Sequence, residues 1–231
     1  MIIIIRCLND MFTDFYHSLY YGTLILSACL SLFLFHKASR AFRFLALLII
    51  ITFISEYLAK YLSTARENNS IIYHFFTPVE YFIYTCIYRQ FLKGKIWNKF
   101  FLISISVVLL MEILNTRYLQ PLNIDNTNIM MLENILLVFL SLMLFFQIRT
   151  SHLNDSFLKD GVFWFNSIIL IYYTFNILIS GFHSFKVYQM QDPPLIMYQI
   201  NLLLSALLYL IYSLAIILNV SYRVKLIPSH E

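Results

Sequence analysis

The chain has 231 residues, 60% of them hydrophobic and only 12% charged, with a formal net charge of +4. Soluble domains carry about 25% charged residues, so this composition excludes an ordinary water-soluble enzyme and a solvated disordered chain. The positive excess sits on short loops between apolar runs, which fits anionic lipid headgroups as the partner and not nucleic acid.

A helix needs about 20 mainly apolar residues to cross a hydrocarbon core about 30 Å thick. Taken in chain order, stretches of that length fall at 18–36, 42–62, 71–90, 97–115, 128–148, 162–183 and 195–220. Uncharged runs cover 18–35, 161–185 and 193–222, whereas the second to fifth spans each carry one acid: Glu56, Glu80, Glu112 and Glu133. None shows the wide polar face of a soluble amphipathic helix. The runs are continuous and not alternating, which excludes a transmembrane β-barrel. The expected fold is all-α: a polytopic membrane protein, one bundle of seven transmembrane helices over 1–231, in the cell membrane (the inner membrane if the source is bacterial). Residues 2–5 are too short for a signal h-region and are broken by Arg6, so no cleaved leader is expected, and Met11 is an alternative start. Cys7, Cys29 and Cys86 make no metal or redox spacing and read as apolar filler.

Orientation follows from the basic residues. One set of span ends carries Lys37, Arg40, Arg43, Arg89, Lys93, Lys95, Lys99, Arg149, Lys159, Arg223 and Lys225; the other carries Arg6, Lys60, Arg66, Arg117 and Lys186. Eleven against five on short loops places the amino terminus outside and the carboxyl terminus inside. Trp97 and Trp164 lie at the inner ends, where interfacial anchors belong. With only four glycines, close small-residue packing of the GxxxG kind is not expected.

In that orientation the polar groups cluster vertically. Glu80 lies roughly 13 Å below the start of the third span at 1.5 Å per residue, and Glu56, Glu112 and Glu133 all fall in the outer half. His74, Asn134, Asn176, His183, Gln199 and Asn201 join them there. On the third span, Tyr73, Thr77, Glu80 and Tyr84 form one stripe; on the sixth, Asn176 and His183 share a face; on the seventh, Asn201, Ser205, Tyr212 and Asn219 make a polar line. Unpaired polar groups in lipid are costly, so such stripes should face the interior. The expected site is an outer polar pocket with Glu80, Glu56, Glu112, Glu133, His74, Tyr84, Asn176 and Asn201 as its ligand-binding candidates. Plainer roles compete. Glu56 and Lys60 have the i, i+4 spacing of an interfacial ion pair. Glu112 and Glu133 can reach toward headgroup water, and the line on the seventh span can serve interhelical hydrogen bonding. Glu80 lacks such a route, and Pro78 deprives the His74 carbonyl of its helical donor.

The common chemistries lack their parts. The seventh span has no lysine for a retinal Schiff base, Tyr88-Arg89 is not followed by NPxxY, and no HExxH, GxSxG, EExxxR or paired-cysteine motif occurs. Pro78 precedes Val79 and Gln191 precedes Asp192, so the proline-glutamine signature of three-one-three sugar transporters is missing. No catalytic residue, cofactor or defined metal set is therefore assigned. The stretch 69–81, read as N-x-x-x-Y-x-x-x-T-P-x-E-Y, resembles a segment of a large group of uncharacterised bacterial seven-helix membrane proteins. Leu132-Glu133-Asn134 and Phe163-Trp164-Phe165-Asn166 resemble later segments of that group. The resemblance implies the architecture and no activity. A looser similarity is to the seven-helix sensor modules of histidine kinases, from which this sequence departs in running only from Val220 to Glu231 beyond its last span. The leading expectation is a sensor- or receptor-like module acting through a separate signalling partner at the basic inner loops. The alternatives are a small-solute or proton-coupled transporter using Glu80, and an intramembrane metal enzyme using Glu80, His74 and His183.

Overall fold

Apolar segments in lipid must satisfy every backbone N–H and C=O internally, and the α-helix does this within one segment. The computed structural model describes residues 2–65, 67–151, 160–188 and 195–225, with side chains over 13–65, 67–148, 160–181 and 195–221. Among the described residues there are seven helices and no strand: α1 (Ile2–Leu34), α2 (Arg40–Thr64), α3 (Ser70–Phe91), α4 (Lys95–Tyr118), α5 (Thr127–Ser151), α6 (Gly161–Tyr188) and α7 (Leu195–Lys225). Each expected span coincides with one of these helices, the first running two residues past the end of α1. The largest boundary difference is at α1, which begins well before residue 18; its membrane-length apolar part is Thr13–Leu34.

Six helices among the described residues are long and apolar enough to cross a membrane: α1, α2, α4, α5, α6 and α7. The expected count of seven crossings is thus not met by length and apolarity alone. α3 is the exception: its 22 residues suffice in length, but His74, Pro78, Glu80 and four tyrosines lower its apolarity. These residues have a structural reason to be there. α3 packs against α2, α4 and α5, and it buries Ser70, His74, Thr77, Tyr81, Tyr84, Thr85 and Tyr88 among others.

Neighbouring helices form a ring in the order α1, α2, α3, α5, α6, α7 and back to α1, with a further contact between α2 and α7. α4 stands outside this ring against α3 and α5, and it is the least buried of the apolar helices. The outer faces are apolar: Phe33 is 82% exposed, Leu102 70% and Ile113 66%. A soluble monomer rarely exposes such continuous apolar surface, whereas lipid matches it. The chain is a multi-pass helical membrane protein.

Short turns hold the ring's ends in place. Gly94 adopts φ 131° in the α3–α4 turn, a conformation that strains any residue with a Cβ. The backbone N–H of Ser39, between α1 and α2, donates to Asn219 Oδ1 of α7 at 3.0 Å. Asp160 caps α6 by accepting the Val162 N–H at 2.9 Å. Gly161 then permits a close approach contrary to expectation, since a Cβ there would lie 2.4 Å from the Ala215 carbonyl oxygen. In the half of the bundle around Gly94, Ser31 Oγ is buried without a partner, but other buried polar groups are paired across helices. Tyr88 donates to Asn166 Oδ1 at 3.0 Å, Asn166 Nδ2 to the Ser141 carbonyl at 2.9 Å, and Ser141 Oγ to the Asn166 carbonyl at 3.0 Å. Ser213 likewise donates to Ser27 at 2.8 Å, tying α7 to α1.

Candidate functional site

At the other end the six-helix ring does not close. A cavity of about 930 Å³ lies inside it, lined from α1, α2, α3, α5, α6 and α7 and reaching exposed residues such as Asp14, Lys60 and Thr64. Helical spacing explains how α3 serves it: Tyr73, Thr77 and Glu80 recur at three- and four-residue intervals and all line the cavity. Facing them are Glu56 of α2, Glu133 and Asn134 of α5, Asn176 of α6 and Asn201 of α7. The wall between these groups is made of tyrosine rings, chiefly Tyr20, Tyr172, Tyr173 and Tyr209.

A chain of phenols leads from the cavity into the bundle; Tyr173 lines the cavity, whereas Tyr84, expected to line it, and Tyr212 lie beyond its lining. Tyr173 donates to Glu80 Oε1 at 3.0 Å and lies 2.9 Å from the Tyr84 hydroxyl, which is 2.5 Å from that of Tyr212. A phenol has one proton to give. If Tyr173 gives its proton to a Glu80 carboxylate, it accepts from Tyr84, which accepts from Tyr212. Should the carboxyl itself hold a proton, the direction of the chain can reverse. Below Tyr212 the Phe165 ring, 5.9 Å away between centroids, begins the apolar packing that separates this chain from the Tyr88–Asn166 pair.

The other carboxyls have different surroundings. Glu56 Oε1 accepts from Tyr73 at 3.4 Å. The expected Glu56–Lys60 ion pair is not among the contacts of the described residues; Lys60 Nζ instead lies 4.3 Å above the Tyr21 ring. An aromatic face beside each side chain offers a competing partner that spacing on one helix cannot reveal. Glu133 is only 3% exposed, and its Oε1 has no hydrogen-bond partner.

Two expected residues lie elsewhere. Glu112 is on α4, outside the ring, and pairs with His74 Nδ1 at 2.8 Å, while His74 Nε2 faces the Ile124 carbonyl at 2.9 Å. Thr116 and Asn126 donate to the same carboxyl at 3.0 and 2.6 Å. Ser70 Oγ donates to Asp125 at 2.6 Å and Asn128 Nδ2 to Asn115 at 2.8 Å, completing a polar staple that fastens the α4–α5 loop over α3. This staple, not the cavity, takes up Glu112 and His74. His183 lies outside the described side chains. Among the described residues, no group of three or more His, Cys, Asp or Glu is placed to hold a metal ion.

The polar line expected on α7 divides by depth. Asn201 and Ser205 line the cavity, Tyr212 ends the phenol chain beneath it, and Asn219 holds the α1–α2 turn. Sequence reading missed the tyrosine wall. Its signal was the Tyr20-Tyr21 and Tyr172-Tyr173 pairs, some of them too deep in their helices to be interfacial anchors. No family model, curated protein or solved structure matches the chain.

Proposed function

We propose that this chain is a receptor-like membrane module that takes a small ligand into the cavity from the outer side of the cell membrane. The observation that supports it is the one-ended polar cavity inside a ring of otherwise apolar helices. In this reading α3 is the seventh crossing, low in apolarity because its polar stripe faces the cavity and neighbouring helices instead of lipid. The excess of basic residues at the opposite ends supports an orientation with the amino terminus and the cavity mouth outside. A signalling partner would meet the basic turn around 89–99 on the inner side.

Binding is favoured over transport by the helices themselves. Transporters of small solutes commonly break their helices near the midplane, whereas α3 continues as a helix through Pro78. The test uses a cysteine-free background with Asn176→Cys or Asn201→Cys. A membrane-impermeant thiol reagent should label both from the outer face of the membrane and neither from the cytoplasmic face. Labelling from the cytoplasmic face alone reverses the orientation, and labelling from both faces defeats the one-ended cavity.

A second reading, proton-coupled transport, draws on the Glu80–Tyr173–Tyr84–Tyr212 chain, which carries exchangeable protons from the cavity into the bundle. Solute uptake by proteoliposomes that is abolished by Glu80→Gln would establish it and displace the receptor reading.

A further inference from the structure

The charge inventory of the cavity is one-sided. Asp14, Glu56, Glu80 and Glu133 line it, against one lysine, one histidine (His17) and no arginine among its described lining. That lysine, Lys60, is exposed at the rim and rests on the Tyr21 ring. Glu56 and Glu80 each receive a phenol, but Glu133 Oε1 is buried without any donor. A buried carboxyl oxygen left unpaired forfeits a full hydrogen bond, so a bound molecule supplying a donor or a positive charge there would complete the site. An anion would find only Lys60 and His17, both toward the mouth, as basic partners.

Two further observations define the size and kind of cation. Among the described residues no three His, Cys, Asp or Glu gather to hold a metal ion, so one point charge could not satisfy all three glutamates at once. A cavity of about 930 Å³ has the size of sites for drug-sized organic molecules. The rings of Tyr20, Tyr172, Tyr173 and Tyr209 stand among the carboxyls, and aromatic faces beside acidic groups are the means by which alkylated ammonium ions are recognised.

We infer that the ligand is an organic cation, an aliphatic amine or quaternary ammonium, with its charged end against Glu80 and Glu133 and its alkyl groups against the tyrosine faces. The inference rests on the reading of this cavity as a ligand site and names the chemical class that enters it.

The test uses the full chain in detergent, titrated calorimetrically with choline, putrescine, the uncharged choline isostere 3,3-dimethylbutan-1-ol, and succinate. Choline or putrescine should bind and raise the melting temperature, with the isostere weaker by about tenfold or more. Glu133→Gln should weaken cation binding by a similar factor while leaving the melting temperature of the free protein unchanged or raised, since that oxygen has no protein partner to lose. Glu80→Gln serves as the second variant. Equal binding of the isostere, or preference for succinate, overturns the cation assignment but leaves the cavity a ligand site. Silence from all four probes at millimolar concentration overturns both.

Discussion

Asn166 joins three helices where no water is at hand, and its replacement by leucine separates the contributions that hold the bundle together. The residue is fully buried. Leucine keeps nearly its volume but removes the bond from Tyr88 at 3.0 Å and the bond to the Ser141 carbonyl at 2.9 Å. Interhelical hydrogen bonds in membrane proteins average about 0.6 kcal/mol, so the two contribute about 1.2 kcal/mol. The larger cost is the Tyr88 hydroxyl, fully buried beside Phe165 and deprived of the amide oxygen it donates to, which adds about 1–3 kcal/mol. Asn166→Leu should therefore destabilise by about 2–4 kcal/mol. The double variant Asn166→Leu/Tyr88→Phe removes the stranded hydroxyl and should recover about half of that loss. Reversible unfolding in mixed micelles, followed by circular dichroism during a dodecyl sulfate titration, measures both. A single variant within about 0.5 kcal/mol of the parent, or a double variant less stable than the single, would refute the reasoning.

Packing at Gly161 supplies a second test. A Cβ there meets the Ala215 backbone oxygen at 2.4 Å and Phe42 Cζ at 3.2 Å, so Gly161→Ala should cost about 1–3 kcal/mol, seen as a lowered melting temperature. Gly181→Ala meets nothing within 4 Å and should be neutral or stabilising by up to about 1 kcal/mol through helix propensity, an opposite sign in the same assay. His74→Phe removes two contacts of the α4–α5 staple and should cost about 2 kcal/mol. Hydrogen exchange across 119–126 should quicken while choline binding stays unchanged; loss of binding would return His74 to the cavity.

Much of this protein is legible in its sequence because lipid simplifies the problem. Span length, the absence of alternation and the helical periodicity of polar residues depend only on local chemistry and bilayer thickness. They are enough to establish helices at the expected places and the common face of Tyr73, Thr77 and Glu80. They also give the depth at which Glu56, Glu80 and Glu133 lie, since depth follows from rise per residue.

What they cannot give is azimuth, the direction in which each helix turns its faces within the bundle. Glu112 has nearly the same depth as its fellow acids, yet α4 packs outside the ring, so its carboxyl fastens a loop instead of facing the cavity. Glu56 and Lys60 have the spacing of an ion pair, yet Tyr73 and Tyr21 arrive from other helices and take them separately. The tyrosine wall likewise arises from four helices, α1, α3, α6 and α7, each contributing residues that alone read as apolar bulk. Sequence by itself determined the helices, their length and the height of every polar group, because these are properties of one helix in a slab of fixed thickness. Only the tertiary structure decided which polar groups meet, because meeting depends on the packing of neighbours that no single helix encodes.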